Sequence, residues 1–297
     1  MSDLAVGFAG LGRMGVPMAR RLAAAGLLAG VYNRTGAKAR DLGAELGVPA
    51  FATPAELATE ANVLVTMLAD EQAVREVHDG FVSALRPGTV GIEMSTIGPR
   101  PLPELRRAFA SRGGSLVDAP VSGSIALAER GELTLLVGGD TVDVERITPV
   151  LETFGSQVFH LGALGAGATI KLAVNTIVYA LNEAVSEALV LAERAGIERR
   201  RAYEVFAASA IAAPFIHYRR QEFEEPGSVP VAFRLALAAK DLRLALELAA
   251  GLEQPMPQAE LDLGILEAAI AAGHGDRDVA AVAGYFRERK PLVPAPT

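Results

Sequence analysis

Residues 4–15 read LAVGFAGLGRMG, and residues 32–35 read YNRT. The first stretch is a short apolar run, 4–9, that passes into Gly10-x-Gly12-x-x-Gly15. In a strand-to-helix turn, Gly10 allows the tight bend. Gly12 lets a pyrophosphate approach the backbone, and Gly15 lets the next helix pack on the sheet. Leu11, Arg13 and Met14 fill the turn between them. The helix that follows carries Met14, Met18 and Leu22 at helical spacing, and Gly26 closes it. A second apolar run leads to Asn33, Arg34 and Thr35, where such a fold meets the adenosine ribose. An acidic side chain there would bind a free 2′-hydroxyl, whereas Arg34 can grip a 2′-phosphate. The pattern is weak alone in a chain with 30 glycines, but here it sits in a complete strand–helix–strand unit. It predicts a nicotinamide dinucleotide site, with NADP preferred and NAD as the second choice.

Composition narrows the remaining classes. At 297 residues and 51% hydrophobic, the chain can build two cored domains. The net charge is −7 and no basic run exceeds 199–201, which disfavours nucleic acid as a partner. The chain has no cysteine, so disulfides and thiolate metal sites are excluded. His78, His160, His217 and His274 form no HxH or HxxxH pair, and no metal site is expected. The most apolar long stretch, 170–191, is interrupted by Lys171, Asn175, Asn182, Glu183 and Glu187, so it does not read as a membrane span. The first strand starts too early to leave room for a signal peptide, and a cytoplasmic location is expected.

Apolar runs at 4–9, 28–33, 63–67, 89–94, 115–118, 133–137 and 157–160 alternate with helical stretches. That alternation predicts a mostly parallel sheet with helices on both faces. After Gly162-x-x-Gly165-x-Gly167 no convincing strand remains, and a long helix is predicted over 168–195, with Gly196 as its cap. Prolines 214, 226, 230, 255 and 257 punctuate the later helices, and 291–297 is a Pro-rich tail expected to fray. The fold class is therefore α/β followed by all-α, divided as 1–163 and 164–297.

On the long helix, Lys171, Asn175, Tyr179, Asn182 and Ser186 fall within roughly an 80° arc at about 100° per residue. A polar stripe on an otherwise apolar helix needs partners or a task. With the helix starting at 168, Lys171 lies in its first turn. The positive helix end disfavours an ammonium there, and a lysine tuned downward can exchange protons near neutral pH. Asn175, one turn on, can fix the lysine or the substrate.

These residues, together with other segments, resemble the β-hydroxyacid dehydrogenase family, which includes 3-hydroxyisobutyrate dehydrogenases and tartronate semialdehyde reductases. GFAGLGRMGVPMARRL matches the family's N-terminal fingerprint. TMLADEQAV (66–74) resembles the loop beside the nicotinamide, which makes Met67 and Leu68 cofactor neighbours. EMSTIGP (93–99) supplies Thr96, in the position that touches cofactor and substrate. DAPVSGS (118–124) resembles the substrate loop, with Ser122 and Gly123 in the carboxylate-binding positions. GALGAGATIKLAVN (162–175) resembles the catalytic segment, with Lys171 as general acid/base and Asn175 as its partner. In AAKDLRLAL (238–246), Lys240 takes the cofactor position and Asp241 the supporting one, and Phe233 aligns with a substrate-pocket residue. For Lys240 and Asp241 the plainer alternative is an interdomain ion pair.

The resemblance implies a Rossmann domain followed by a helical substrate and oligomerisation domain. It implies NADP(H)-dependent reduction or oxidation of a small carboxylate-bearing substrate. A homo-oligomer, dimer or tetramer, fits the apolar helical half. The sequence departs from the family at Ser124, where a second glycine is usual, at Leu127-Ala128, where Gly-Ala is usual, and at Val174, which often is Asn. The first two changes border the substrate and none touches Lys171. The alternatives are an imine or ketone reductase with a repurposed pocket, and a dinucleotide-binding scaffold without catalysis. The intact Lys171–Asn175 pair speaks against the scaffold.

Overall fold

A computed structural model describes residues 4–289. The tail at 291–297 lies outside the described residues. The chain divides into two compact units, Met1–Leu172 and Ala173–Thr297.

The first unit runs β1 (Val6–Ala9), α1 (Gly15–Ala24), β2 (Leu28–Tyr32), α2 (Gly36–Leu46), α3 (Pro54–Glu60), β3 (Val63–Thr66), α4 (Glu71–Ala84) and β4 (Val90–Glu93). It continues with α5 (Leu102–Ala110), β5 (Ser115–Asp118), β6 (Val121–Ser122), α6 (Ile125–Arg130), β7 (Thr134–Val137), α7 (Thr141–Leu151), β8 (Gln157–His160) and the start of α8 (Ala166–Arg194). Five parallel strands form a sheet in the order β2-β1-β3-β4-β5. Each crossover is a helix or helix pair, as parallel strands require. Alternate strand residues serve opposite faces. Val63, Val65, Val90 and Ile92 join Met18 and Leu22 of α1 in one core. Leu64 joins Leu57 of α3 and Phe81 of α4 in the other.

The second half of this unit differs from the single sheet that the sequence predicts. β6, β7 and β8 form a separate three-stranded sheet, with β6 antiparallel to β7 and β7 parallel to β8. β6 is only two residues long, too short to show a period. One antiparallel bridge, Asp118 to Gly138, joins the end of β5 to the end of β7.

In the second unit every regular element among the described residues is helical, as expected. Here α8, 29 residues in all and about 44 Å long, continues to Arg194. Gly196 follows with φ +85°, a left-handed geometry suited to glycine at a helix end. Then come α9 (Arg199–Ala208), α10 (Pro214–Tyr218), α11 (Arg220–Glu224), α12 (Leu235–Gly251), α13 (Pro257–Ala269) and α14 (Val282–Glu288). Two cores fill the unit, one around Tyr179, Leu235, Leu242 and Leu266, the other around Val185, Leu189, Tyr203 and Phe223.

This unit also buries an acid pair. Glu183 of α8 and Asp262 of α13 are both almost fully enclosed, and each carboxyl acts on the other. Burial, with the neighbouring Asp262 and then Glu187 carboxyls, pushes Glu183 up to about 9. Burial also raises Asp262, against the pull of Gln258, whose Nε2 donates to its Oδ1 at 2.7 Å. The folded protein thus holds a proton on Glu183 that the unfolded chain releases above its ordinary value of 4.5. Stability falls as pH rises through that window. Melting temperature is therefore expected to drop between about pH 6.5 and 8.5, and Glu183→Gln, which cannot ionise, is expected to flatten the decline. A melting temperature that is flat in the parent, or equally sloped in the variant, contradicts this.

Candidate active site

The β1–α1 turn is shaped partly by the protein's own packing. Gly10 has φ +105°, and a Cβ there would stand 2.3 Å from the Met67 carbonyl oxygen. A Cβ on Gly15 would stand 1.9 Å from the Gly10 carbonyl oxygen. Gly12 is different: it is exposed, and a Cβ would meet no protein atom within 4 Å. The fold gives no reason for a missing side chain at Gly12, but a diphosphate lying against the backbone does. The turn therefore fits a dinucleotide. Leu11 puts its side chain into the core, so it offers only backbone to a ligand. Arg13 is exposed and Met14 half-buried.

At the end of β2, Asn33 Oδ1 accepts the Leu11 N–H at 3.0 Å, and Nδ2 donates to the Thr35 carbonyl at 3.1 Å. Asn33 thus braces the glycine turn against the next strand. Arg34 and Thr35 are exposed beside it. A second guanidinium, which the sequence reading did not single out, stands here too. Arg40 Nη1 lies 3.2 Å from where a Cβ on Gly36 would be.

Met67 and Leu68 follow β3, and the Leu68 N–H donates to Ser95 Oγ at 2.8 Å. Buried Glu93, at the end of β4, accepts from Thr66 Oγ1 and from the Ser95 N–H, both at 2.7 Å. Its Oε2 also lies 3.0 Å from His78 Nε2. This carboxylate ties together the loops that carry Met67, Leu68 and half-buried Thr96. The sequence reading passed over it; the signal was an acid ending an otherwise apolar strand, VGIE.

Ser122, which ends β6, is half-buried, and Gly123 after it is exposed. Gly123 has φ +141°, and a Cβ there would stand 2.8 Å from Leu133 Cδ2, so the fold itself demands glycine. Ser124 Oγ accepts the Leu127 N–H at 3.3 Å and caps α6, which accounts locally for the departure at Ser124. Asp118, just upstream, is buried. Burial pushes its carboxyl up to about 6, against the hydrogen bonds it accepts from the Gly165 and Ala168 N–H groups.

The helix-end argument for Lys171 does not hold. α8 starts at Ala166, two residues earlier than predicted, so Lys171 lies in its second turn. The helix field fades after the first turn, and the Asp118 carboxylate already meets the positive end. What carries Lys171 is its place on α8, one turn before Asn175.

The second unit gathers the other predicted residues around one carboxylate. Asp241 on α12 is 2% exposed. Its Oδ2 accepts from Asn175 Nδ2 at 2.8 Å and from Tyr179 Oη at 2.7 Å, and its Oδ1 lies 2.8 Å from Lys240 Nζ. Each hydrogen bond to such a buried charge is worth about 1.5–3 kcal/mol. A carboxylate only accepts, so it fixes which end of the Asn175 amide faces it. Burial first, then the Asp241 charge, holds Tyr179 protonated well above the usual tyrosine range, so it serves as a donor. Phe233 stacks on Tyr179, with ring centroids 6.2 Å apart. The Phe233 backbone is pinned through its N–H to Asp278 Oδ2 at 3.0 Å. The lower part of the polar stripe is structural. Asn182 Nδ2 donates to the Val279 carbonyl and Ser186 Oγ to the Asn182 carbonyl.

Among the described residues, no group of three or more His, Asp or Glu is placed to hold a metal. No helix among them is long and apolar enough to cross a membrane.

Comparison with known proteins covers nearly the whole chain. Residues 5–162 match the family model described as the NAD binding domain of 6-phosphogluconate dehydrogenase. Residues 165–286 match the model described as NAD-binding of NADP-dependent 3-hydroxyisobutyrate dehydrogenase. The chain is 34% identical over 286 residues to the 3-sulfolactaldehyde reductase of Escherichia coli, covering 95% of this chain and 96% of that one. It is 32% identical to the 3-hydroxyisobutyrate dehydrogenase of Mycobacterium tuberculosis, whose structure with L-serine superposes with a TM-score of 0.82, covering 96% and 99% of the two chains. An imine reductase from Myxococcus stipitatus in complex with NADP+ shares the fold, with a TM-score of 0.65 at 20% identity over 95% of this chain and 99% of that one.

Proposed function

The chain belongs to the β-hydroxyacid dehydrogenase family, and from that premise we propose that it interconverts a small β-hydroxyacid and the matching semialdehyde, using NADP(H) in preference to NAD(H). The observation that carries this reading is the set of a lysine and an asparagine one turn apart on α8, with the asparagine held by a buried carboxylate. Residues 1–163 serve as the dinucleotide domain and 164–297 as the substrate and oligomerisation domain.

Gly10, Gly12, Gly15 and the Arg34 turn would hold the cofactor, which when bound would supply or accept a hydride at the substrate carbon. The residues of the chain handle charge and protons. During reduction, negative charge builds on the carbonyl oxygen, and a donor aimed there favours the transition state over the ground state. Lys171 is that donor. Asp241 takes the Nδ2 end of Asn175, which leaves Oδ1 as the end able to accept from an ammonium. Asn175 thus steadies the lysine, and Tyr179 and Asp241 steady Asn175. The resemblance assigns the substrate carboxylate to Ser122 Oγ and the backbone N–H groups around Gly123, contact with both ligands to Thr96, the substrate to Phe233 and the cofactor to Lys240.

NADPH consumption with glyoxylate, succinic semialdehyde, methylmalonate semialdehyde and a cyclic imine tests the assignment. Preference for a semialdehyde acid supports it. Preference for the imine, or no turnover with any of them, contradicts it. Ser122→Ala is expected to raise KM for the acids by about tenfold, and to change KM for propionaldehyde, which lacks the carboxylate, by much less. Equal effects on both would reassign Ser122 to loop support.

The protein is further read as a cytoplasmic homo-oligomer, dimer or tetramer. α8 supports self-association, since Ile177 and Leu191 are 70% and 71% exposed and share one face with exposed Ala173, Ala184 and Ala188. Sedimentation velocity decides this, and a monomer at micromolar concentration contradicts it.

A further inference from the structure

The glycine-rich turn that precedes α8 closes around a carboxylate of the protein itself. Asp118 is 1% exposed. Its Oδ1 accepts the Gly165 N–H and its Oδ2 the Ala168 N–H, both at 2.6 Å. The glycines make room for it. A Cβ on Gly138 would stand 2.5 Å from Asp118 Oδ1, and one on Gly167 would stand 2.9 Å from Oδ2 and 2.1 Å from the Leu136 carbonyl oxygen. The Asp118 backbone cannot give way, because it exchanges two bonds with Gly138, N–H to O at 2.9 Å and O to N–H at 2.8 Å. One side chain therefore joins the strand leading to Ser122 with the turn that launches Lys171.

A serine or threonine cap would satisfy one helix N–H with less desolvation. The buried carboxylate instead holds two, one from Gly165 just before α8 and one from Ala168 in its first turn, so it grips the start of α8 at two points. Two points fix the rotation of a helix about its axis, which one does not. A rotation of about 10° moves an atom ~8 Å from the axis by roughly 1.4 Å, and a misplacement of about 1 Å at a reacting group can cost about 100-fold in rate.

We propose that Asp118 is a positioning residue for proton transfer, clamping the first turn of α8 and so setting where Lys171 stands. This rests on the reading of Lys171 as the proton donor. It gives Gly167 a task unrelated to phosphate, namely admitting a carboxylate.

Asp118→Asn keeps the volume but replaces one acceptor with a donor. Two measurements read it. The first is hydrogen exchange on the full-length protein without cofactor or substrate. The Gly165 and Ala168 amides are expected to exchange about tenfold faster or more, with the β1–β4 amides unchanged. The second is single-turnover oxidation of NADPH by methylmalonate semialdehyde. The rate constant is expected to fall about tenfold or more with its amplitude retained, because amplitude counts folded sites and the rate constant reports their geometry. Unchanged exchange over 162–172 overturns the clamp. A retained rate constant with a loss confined to amplitude makes Asp118 merely structural and overturns the positioning role. Lys171→Ala, run in parallel, separates the premises, since parent-like transfer in that variant removes the lysine reading whatever Asp118 does. The exchange arm needs no substrate, so it decides the clamp even if this semialdehyde is not turned over. If Asp118→Asn does not fold, Asp118→Ser, which keeps one acceptor, is expected to show the same changes at smaller size, and parent-like behaviour in it overturns the proposal.

Discussion

Lys171→Ala is expected to lower kcat by about 10²–10⁴ while leaving NADPH affinity within about twofold of the parent, the usual scale for loss of a general acid. The size follows from the site's chemistry. The carbonyl oxygen needs a proton as the substrate carbon is reduced, and the amide and phenol donors around Asp241 do not replace it. Asn175 Nδ2 and Tyr179 Oη are already committed to Asp241. Asn175→Ala is expected to show the same kind of defect at smaller size, because it removes the support and leaves the donor. The split between kcat and cofactor affinity matters as much as the loss, since a misfolded variant would lose both. Steady-state kinetics with NADPH and a semialdehyde acid, beside a fluorescence titration of NADPH, read the two together. A kcat within about threefold of the parent would remove Lys171 from the mechanism.

Arg34 is expected to set cofactor choice. It stands exposed at the end of β2, with no acidic neighbour in Asn33-Arg34-Thr35 to take a ribose 2′-hydroxyl. Asn33 braces the turn through Leu11 and Thr35 and carries no charge for a phosphate. A guanidinium can meet a 2′-phosphate with two parallel hydrogen bonds. The parent is therefore expected to prefer NADPH over NADH, and Arg34→Ala to weaken NADPH by ~10–150-fold while barely changing NADH. Arg40 folds back over Gly36 at the same turn, so the double variant Arg34→Ala, Arg40→Ala is expected to lose more than the single one. Because this corner is open to solvent, the effect is expected to shrink at high salt. The check is kcat/KM for both cofactors in parent and variants. A parent that prefers NADH, or a variant that loses both cofactors equally, leaves Arg34 only a stacking role on the adenine.

What the sequence revealed was what local period and local turn chemistry encode. The strands at Ser115–Asp118 and Gln157–His160 were legible residue for residue, because each is a short apolar run between turn signals. The stripe Lys171, Asn175, Tyr179 was legible because helical spacing is local. Its meaning was not. Asp241, which holds Asn175 and Tyr179, lies more than sixty positions away, and only packing brings it there. The same distance effect hid Asp118. Its partners Gly165 and Ala168 are 47 and 50 residues downstream, so the glycine spacing looked like a loop beside a lysine when it is a socket for a carboxylate. It also displaced the predicted helix start, because α8 is capped from another strand and not by a local Ser, Thr, Asn or Asp. The second sheet escaped because its first strand is two residues long. Ser124 read as a substrate-side change, and the structure gives it a helix cap within the same loop.

The central claim is that this chain passes a hydride between NADP(H) and a carbonyl beside a carboxylate-anchored carbon chain. The most direct test is isotopic. NADPH carrying deuterium at the transferred position of C4 is incubated with methylmalonate semialdehyde, and the product acid is examined by mass spectrometry. The account predicts 3-hydroxyisobutyrate one mass unit heavier, with the deuterium on the hydroxyl-bearing carbon. Cofactor that stays reduced, or that is oxidised without placing deuterium on that carbon, would contradict it.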